Sequence, residues 1–449
     1  MIVPDTEIDL PFNFIPRVYQ VPPLQALDDG KKRIIAVWHR RSGKEKTLIN
    51  YTARAMYDRI GTYFYLFPTY AQAKKAIWDG KDREGFPFRS HFPAALVKST
   101  NGTELKIEYH NGSIFQLVGT DNIDTLMSTN PIGCVFAEYS LQDPAAWEFI
   151  RPILLENGGW AAFDFTPRGK NHAFDLYEMA RNNPDWFVSR LTVEDTKRPD
   201  GTPVITQAMI ESERREGVSE EMIQQEYYCS FEGVMEGSYY GKQLEQARKD
   251  GRIGRMPYDP ALGVETWWDI GMHDYTAIWF TQTIRNEIHV IDYLENSGEL
   301  LSYYAKELQL KPYVYSAHHG PHDLEVREWA QAGADGEPKT RKQIAKALGI
   351  DFQLVPDLSI ADGIEAARNI IARCYFDAEK CKRGLSALAS YNKAYNTKTK
   401  MFQSYPADGW FAHGSDAFRY FAVGHKSAKL KLPPKQSSGG SGGTTFMGQ

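Results

Sequence analysis

The stretch RIIAVWHRRSGK, residues 33–44, joins an apolar run to a basic turn that ends in glycine and lysine. The apolar run predicts a buried β-strand, and the residues after Lys44 have a helical pattern. A turn between a strand and a helix can receive phosphate on its backbone N–H groups and on the helix N-terminus. The stretch therefore predicts a nucleotide phosphate loop in which Lys44 neutralises the phosphate. The other loop residues expected to face the nucleotide are Arg40, Arg41, Ser42 and Gly43.

This loop departs from the usual phosphate-loop pattern at two positions. Its first glycine is replaced, and Glu45 stands where a Ser or Thr hydroxyl ordinarily holds Mg²⁺. Thr47 or Glu45 could supply an oxygen ligand instead, or the site could be completed only in an oligomer. Lys46 offers a second register for the phosphate lysine, but no glycine precedes it to allow close backbone approach. Taken alone, a Gly-Lys pair in a basic turn is more often a solvated surface turn.

Further apolar runs predict a sheet around this loop. Residues 62–67 and 132–136 look like buried strands separated by helical or loop stretches, which indicates a parallel sheet with crossover helices. Residues 105–109 and 113–117 flank His-Asn-Gly, a hairpin turn signal, so they predict an antiparallel addition at the edge of the sheet.

Two of the predicted strands end in residues that suit phosphate chemistry. The run CVFAEY, residues 134–139, ends in Glu138, which could polarise an attacking water or could simply face solvent as a strand-end carboxylate. Ala137 takes the place of the aspartate that normally supports the metal at this point. The run FDFTPRGKN, residues 163–171, would place Thr166 beside the γ-phosphate. Upstream of the loop, the ring of Tyr19 and the amide of Gln20 could lie against adenine.

The second half of the chain opens with three strand-like runs, residues 264–269, 276–280 and 288–293, with Asp269 in the first. This is the layout of a ribonuclease H-like fold. Asp323 follows another strand and turn, and Asp416 belongs to a terminal helix. Each of these acids alone is most simply a surface or helix-capping residue.

Together, the carboxylates indicate a metal-dependent phosphodiesterase. Hard cations such as Mg²⁺ or Mn²⁺ prefer oxygen ligands, and two of them can activate a water and stabilise the leaving oxygen. Asp269 and Asp274 can reach one metal site from a hairpin. Zinc is disfavoured, because His318 and His319 are adjacent on one strand and do not readily face one point.

Composition sets the remaining bounds. The chain has 449 residues, of which 42% are hydrophobic, so two globular domains are expected. A net charge of −5 argues against coating nucleic acid by bulk electrostatics, so a nucleic-acid substrate would be met by local basic patches. The four cysteines form no Cys-x-x-Cys pair, which indicates reduced, mostly buried thiols. No transmembrane run or signal peptide is evident, and a cytoplasmic protein is expected.

We predict four segments along the chain. Residues 1–204 form the phosphate-binding core, 205–249 a helical lid and linker, 250–431 the nuclease, and 432–449 a flexible Gly/Ser-rich tail. Lys393, Lys398 and Lys400 lie among aromatic residues and could follow a DNA backbone, although a solvated hairpin explains the run equally well.

The order of these motifs (Tyr-Gln, Arg-Arg-Ser-Gly-Lys, Ala-Glu-Tyr, Thr-Pro-Arg-Gly-Lys-Asn and three aspartates) resembles the large terminase subunit of tailed bacteriophages. The resemblance covers the chain before its tail. It implies an α/β fold class: an N-terminal P-loop ATPase of the additional-strand type, with a parallel-rich sheet and flanking helices, and a C-terminal ribonuclease H-like α/β nuclease domain.

The resemblance also implies roles for single residues. Tyr19 and Gln20 look like the adenine-sensing pair, and Arg40 or Arg41 looks like the basic residue early in the loop. Glu138 looks like the catalytic carboxylate of ATP hydrolysis. The residues that look like the motif coupling hydrolysis to movement are Thr166 and Asn171. Those that look like the nuclease metal ligands are Asp269, Asp323 and Asp416, with Asp274 auxiliary.

On this resemblance, we expect ATP-driven translocation of double-stranded viral DNA into a procapsid, and metal-dependent cleavage of concatemeric DNA. The cofactors implied are ATP and Mg²⁺, or Mn²⁺ at the nuclease site. The partners implied are double-stranded DNA, the portal protein, the small terminase subunit and sister subunits, five on the capsid, with no membrane. The expected location is the host cytoplasm and, transiently, the procapsid portal.

Two other functions stay open. One is a helicase-like DNA translocase with a fused nuclease that never meets a capsid. The other is a catalytically weak scaffold that docks DNA to a portal, motivated by the irregular loop. An arginine finger from a neighbouring subunit is expected but has no evident position, since residues 127–128 are Met-Ser where an arginine might be sought.

Overall fold

The computed structural model describes residues 10, 12–121, 126, 129–232, 237–271, 275–325, 327–332, 338–396 and 401–429. For residues 327–332, 338–339, 395–396, 401 and 426–429 it describes the backbone alone. The chain forms two compact units. The first spans Met1–Asp250 and Lys382–Ala412, and the second spans Gly251–Cys381 and His413–Gln449.

The first unit is built on an eight-stranded sheet with the order β3-β4-β5-β2-β6-β7-β1-β8. Its strands are β1 Arg33–Trp38, β2 Thr62–Phe67, β3 Val97–Asn101, β4 Lys106–Tyr109, β5 Ile114–Gly119, β6 Pro131–Ala137, β7 Trp160–Phe165 and β8 Trp186–Leu191. All neighbours from β5 to β8 in this order pair in parallel, whereas β3, β4 and β5 form an antiparallel addition at one edge. The predicted edge hairpin is therefore confirmed.

The position of β7 decides the class of this sheet. It lies between β1, which leads into the Gly-Lys turn, and β6, which ends before Glu138. A strand inserted at this place is the feature of the additional-strand P-loop fold, and the predicted fold class is confirmed for this unit.

Helices cover both faces of this sheet, because its central strands are apolar on both sides. The helices of this unit are α1 Val21–Asp28, α2 Lys44–Asp58, α3 Tyr70–Ala73, α4 Ala145–Glu156, α5 His172–Arg181, α6 Gln207–Arg215, α7 Glu220–Glu226 and α8 Gly241–Lys249. Alternate strand residues enter two separate cores: Ile34 packs in the core that includes Leu48 of α2, and Ile35 packs in the core that includes Trp147 of α4. The helices α6 and α7 lie in the segment predicted to be a helical lid.

The second unit is built on a seven-stranded sheet with the order β16-β13-β10-β11-β12-β17-β9. Its strands are β9 Ile253–Gly254, β10 Val264–Ile270, β11 Tyr275–Ile284, β12 Glu287–Ser297, β13 Tyr315–Gly320, β16 Phe352–Leu354 and β17 Cys374–Asp377, with β14 Arg327–Ala332 and β15 Pro338–Thr340 as a separate pair. The antiparallel meander β10-β11-β12, with β13 and β16 added in parallel beside β10, is the ribonuclease H core. The predicted fold class is confirmed here too.

The helices of this unit are α9 Leu301–Leu310, α10 Arg341–Ala347, α11 Ile360–Ile371 and α13 Ala412–Lys429. Neighbouring tryptophans of β10 point to opposite faces of the sheet. Trp268 packs in the core with Tyr304 of α9, and Trp267 packs against Phe421 of α13. Gly424 lets α13 approach this closely, because a Cβ there would lie 2.4 Å from the Trp267 ring.

The remaining elements, α12 Lys382–Ser390 and the hairpin β18 Lys393–Asn396 with β19 Met401–Pro406, pack with the first unit. Our sequence-based limits place residues 382–412 in the nuclease segment, 250–431, whereas the structure groups them with the first unit. Their ring contacts explain the difference, since Tyr391 packs against Tyr239 and Tyr240. The other predicted limits stay predictions.

All four cysteines are buried and free of disulfide bonds. Within the described residues, no helix is long and apolar enough to span a membrane.

Candidate functional sites

The Gly-Lys turn has the backbone of a tight loop. Arg41 and Gly43 adopt left-handed conformations with φ of 67° and 87°, and α2 begins at Lys44. Glycine is needed at position 43 for this φ and for space, because a Cβ there would lie 2.9 Å from Nε2 of Gln20. Such a turn directs the chain into a helix N-terminus, which favours an anion.

Lys44 brings the ends of three strands together. Its side chain is buried, with Nζ 3.0 Å from Oε1 of Glu138 and donating to Oγ1 of Thr166 at 3.3 Å. The sequence placed these residues on three separate runs after β1, β6 and β7, and the structure joins them around one ammonium group.

Electrostatics keep this lysine and glutamate charged. Burial opposes ionisation of Glu138, but Lys44, Arg168 and Arg40 together outweigh burial and lower the pKa of the carboxyl. Burial likewise opposes the charge on Lys44, but Glu138 and Glu45 outweigh it and raise its pKa. Glu138 also has a left-handed backbone with φ of 54°, a conformation that costs a non-glycine residue about 1–3 kcal/mol and is concentrated at functional sites.

Tyr19 and Gln20 contact the loop directly. The Tyr19 hydroxyl donates to the carbonyl of Ser42 at 2.7 Å, and Nε2 of Gln20 donates to the carbonyls of Ser42 and Gly43 at 3.4 and 3.3 Å. Arg17 donates to the Tyr19 oxygen at 2.8 Å. Tyr19 and Gln20 thus bind the backbone carbonyls of the loop. Their contact with adenine stays a prediction.

The helix α7 is tied to the loop through Glu226, which sequence reasoning missed. One carboxylate oxygen lies 3.8 Å from Nη1 of Arg40, and the other lies 2.7 Å from Nη1 of Arg168. The backbone N–H of Arg40 also donates to the Glu226 carbonyl at 2.9 Å. The lid segment thus contacts both the phosphate loop and the loop after β7.

The two coupling residues predicted after β7 belong to one hydrogen-bonded group. Asn171 caps α5 by accepting from the Ala173 amide, and its Nδ2 donates to the Ser140 carbonyl at 2.9 Å. The Ser140 hydroxyl donates to the carbonyl of Thr166 at 2.9 Å. Ser140 follows Glu138 by two residues, so this hydrogen-bonded group lies next to the acid in the chain.

Two further acids lie beside this site. Glu45 and Asp164 join Glu138 in a group that could hold a metal ion. Within the described residues, one carboxylate oxygen of each lies within 4.8 Å of the other two. Asp164 was not among our predicted site residues. Thr47, which we considered as a ligand, donates its hydroxyl to the Gly43 carbonyl at 3.0 Å.

In the second unit, Asp269 lies near the end of β10 and contacts α13. Nδ1 of His413 lies 3.0 Å from its Oδ2. Burial raises the pKa of the Asp269 carboxyl, His413 lowers it, and the charge of Asp416 raises it again. Two carboxylates near one another at a buried strand end suit a cation that neutralises both.

Asp416 and Asp323 flank this point. Asp416 is held by Arg419, one turn further along α13, at 2.9 Å, and Asp323 lies exposed in a short 3₁₀ turn, His322–Glu325, after β13. Burial raises the pKa of Tyr420, and the charges of Asp269, Asp416 and Asp323 raise it further, so all three carboxylates lie within electrostatic range of this phenol.

Asp269, Asp323 and Asp416 lie further apart than the acids of the first unit. Among the described residues, their carboxylate oxygens do not all lie within 4.8 Å of one another. Asp274 lies outside the described residues, as do Lys398 and Lys400. His318 and His319 face opposite ways: His318 lies 2.7 Å from the Thr266 hydroxyl, and His319 stacks on Trp267 with ring centres 3.8 Å apart.

The missed residues had weak signals in the sequence. Asp164 interrupts an otherwise apolar strand, and a charge inside a strand buried on both faces is unusual enough to flag it. Glu226 gave no signal, because it is one of many acids in a charged helical segment and its partners are distant along the chain.

The fold and the two sites define a class: a P-loop unit of the additional-strand type joined to a ribonuclease H-like unit that carries Asp269, Asp323 and Asp416. No protein-family model matches the chain.

Over 194 residues the chain is 27% identical to the large terminase subunit of Escherichia phage T5, a match that covers 40% of this chain and 41% of that protein. The chain therefore matches less than half the length of this relative. The similarity confirms the resemblance to large terminase subunits.

Solved structures of terminases also resemble the chain. The large terminase of a thermophilic bacteriophage in complex with ADP covers 90% of this chain and 98% of its own, with 15% identity and a TM-score of 0.40. The nuclease domain of the large terminase of phage P22 covers 39% of this chain and 89% of its own, with 14% identity and a TM-score of 0.30. The fold assignment rests on the strand orders given above and not on these superpositions.

Proposed function

We propose that this chain is an ATP-driven motor of the large terminase type, which translocates double-stranded viral DNA into a procapsid and cuts concatemeric DNA. The observation that carries the proposal is the contact of Lys44 with Glu138 and Thr166. It joins the phosphate-binding turn, the acid that would activate water and the residue that would sense the γ-phosphate at the edge of one additional-strand sheet.

In this proposal, Lys44 exchanges its contact with Glu138 for the phosphates of ATP. The released carboxylate then orients the attacking water and accepts its proton. Arg40, Arg41, Ser42 and Gly43 line the phosphates, and Tyr19 and Gln20, which hold the loop, lie on the adenine side. Thr166 and Asn171, which Ser140 links, carry the change to the loop after β7, where Arg168 contacts Glu226 of the predicted lid.

The second unit supplies the cutting activity. Asp269, Asp323 and Asp416 suit a hard divalent cation, because all three offer carboxylate oxygens and their charges act on the same phenol, that of Tyr420. Bound Mg²⁺ or Mn²⁺ would activate water and stabilise the leaving oxygen of the cleaved strand. His413 orients Asp269 through their 3.0 Å contact.

The partners follow from this role. They are double-stranded DNA, the portal protein, the small terminase subunit and sister subunits, which form a ring of five at the portal of a procapsid in the host cytoplasm. An arginine finger from a neighbouring subunit would complete the ATP site.

Displacement of a third strand from double-stranded DNA tests the motor. The full chain, with ATP and Mg²⁺, should release a fluorescent triplex-forming strand from a DNA duplex, and purified portal should increase the rate. Lys44→Ala should abolish release, whereas Lys32→Ala, at an exposed position just before β1, should not. Release by Lys44→Ala at the wild-type rate would contradict the motor. Release that portal leaves unchanged would favour a translocase outside packaging.

Cleavage of plasmid DNA in Mn²⁺ tests the nuclease separately. Asp269→Asn should lose cleavage while retaining ATP hydrolysis, because the two sites lie in different units. Undiminished cleavage by this variant would remove Asp269 from the nuclease site.

A further inference from the structure

The buried carboxylate of Asp164 has no role in the contacts given so far. Its side chain is fully buried in β7, and both of its oxygens lack a hydrogen-bond partner. Burial raises the pKa of this carboxyl well above its ordinary value, and the opposing charge of Lys44 does not offset burial. A buried polar group without a partner is costly, so a carboxylate in this state needs either a proton or a cation.

The strand register relates Asp164 to the aspartate missing from β6. The parallel strands β6 and β7 pair with Ala137 opposite Asp164. Residues opposite one another in adjacent strands point to the same face of the sheet, about 4.8 Å apart. Ala137 and Ala162 both belong to the core under α2, and Asp164 follows Ala162 by two residues, so Asp164 faces α2 as well. Its carboxylate is displaced by one strand from the usual position.

A second departure lies directly above this point. Glu45 occupies the first turn of α2, where a hydroxyl is usual, and its carboxylate lies within 4.8 Å of those of Asp164 and Glu138. The hydroxyl of Tyr65, on the same face of β2, is also buried without a partner, as is that of Ser42 in the loop. The charges of Asp164, Glu45 and Glu138 all act on the Tyr65 phenol, so this unsatisfied hydroxyl lies near the three acids.

We propose that Asp164 and Glu45 hold the divalent cation of the bound nucleotide, in place of the strand-end aspartate and the loop hydroxyl. This inference rests on the proposed ATPase function and names the residues that make it metal-dependent. The two sequence departures then compensate for each other: the lost hydroxyl is replaced by Glu45, and the lost aspartate by its neighbour in the next strand.

The chemistry of the donors favours Mg²⁺ or Mn²⁺. Both side chains offer carboxylate oxygens, the ligands that hard cations prefer, and nucleotide phosphates add more of the same kind. The other oxygens that could bind the cation already have partners. Glu138 and Thr166 contact Lys44, and the Thr47 hydroxyl donates to the Gly43 carbonyl. The competing explanation is that the two acids share one proton, which requires no cation.

Nucleotide binding with and without metal separates the two explanations. The probe is a fluorescent ADP titrated into the full chain in EDTA and in Mg²⁺, with Mn²⁺ binding followed by electron paramagnetic resonance. Asp164→Asn and Glu45→Gln should each weaken the Mg²⁺-dependent part of nucleotide affinity at least about tenfold and reduce bound Mn²⁺. Affinity in EDTA should be unchanged or higher, because a negative charge is removed.

A matched control and a rescue complete the test. Glu148→Gln changes an exposed acid in the first turn of α4 and should leave both affinities unchanged. The double variant Ala137→Asp with Asp164→Ala moves the carboxylate one strand over and should restore Mg²⁺ dependence. A residue needed only for folding would not be rescued in this way. If Asp164→Asn folds poorly, Glu45→Gln, in the first turn of α2, provides a second measurement of the Mg²⁺ dependence.

The outcomes also separate this inference from the proposed function. If the wild-type chain binds nucleotide and Asp164→Asn and Glu45→Gln keep full Mg²⁺ dependence, the cation assignment is wrong and the ATPase stands. If the wild-type chain binds no nucleotide in either buffer, the ATPase proposal itself fails.

Discussion

At the scale of single residues, Glu138 combines a left-handed backbone with a direct contact to the buried Lys44. The ion pair keeps the carboxylate ionised, as a base near neutral pH must be. It also engages the carboxylate until another anion binds the lysine. Backbone strain and a charge partner at the same residue are what a strand-end acid facing solvent would lack.

Glu138→Gln tests this role. We expect nucleotide affinity to change little and the rate of ATP hydrolysis to fall about 10²–10⁴-fold, because the amide cannot accept the proton of the attacking water. Single-turnover hydrolysis and equilibrium binding of a fluorescent ADP measure the two effects independently. Glu148→Gln is the control, and hydrolysis within twofold of wild type in Glu138→Gln would exclude Glu138 as the base.

At the scale of secondary-structure elements, α12 is fixed to the first unit by one buried ion pair. Nη1 and Nη2 of Arg383 donate to the buried carboxylate of Asp143. Cζ of Arg383 lies 4.3 Å from the ring centre of Trp410. Trp410 in turn packs against His172 at the start of α5, with ring centres 5.8 Å apart. The segment from α12 to Trp410 is thereby attached to the loops that follow β6 and β7.

Arg383→Ala should lower the free energy of unfolding of the first unit by about 2 kcal/mol, because it leaves the Asp143 charge buried without its partner. Denaturant unfolding measures the loss, and hydrogen exchange should increase in residues 382–396. Arg181→Ala removes an exposed pair with Glu178 and should cost little. Equal stability of the two variants would show that the ion pair does not hold α12.

The elements themselves were largely predictable from the sequence. Strands β1, β2 and β6 are continuous apolar runs, and the Asn-Gly turn marks the hairpin of β4 and β5, so short-range patterns suffice. The place of α12 was not predictable, because Arg383 and Asp143 are 240 residues apart and neither has a distinctive neighbour. Long-range ion pairs leave no periodic signal in one sequence.

The same limit applies to the site. Lys44, Glu138 and Thr166 follow strands, so their convergence could be inferred from a parallel sheet, whose strand ends meet at one edge. Asp164 required the register of β6 against β7, which only the structure provides.

At the scale of the whole molecule, several histidines are buried in the neutral form. Burial lowers the pKa of His39, His172 and His318 to about 4, from an ordinary value near 6.5. In the unfolded chain these groups take up protons as the pH falls through about 6.5, whereas the folded chain does not until about 4. Stability is therefore complete above pH 6.5 and declines as the pH falls from about 6.5 to about 4.

We expect each such histidine to cost about 1 kcal/mol of stability between pH 7 and pH 5.5. His39→Gln should reduce the slope of unfolding free energy against pH in this range, and His110→Gln, at an exposed turn, should not. Denaturant unfolding at a series of pH values measures the slope. A His39→Gln slope equal to that of wild type would show that His39 titrates normally in the fold.

The central claim concerns the whole first unit: that its phosphate loop binds ATP through Lys44. The neighbouring Lys46, the alternative considered from the sequence, has its Nζ 2.8 Å from Asp82 and 3.6 Å from Glu84. Steady-state ATP hydrolysis by Lys44→Ala and Lys46→Ala, measured side by side with wild type, tests the claim most directly. We predict a loss of at least about 10²-fold for Lys44→Ala and near wild-type activity for Lys46→Ala. Unchanged hydrolysis in Lys44→Ala, or a loss confined to Lys46→Ala, would contradict the account.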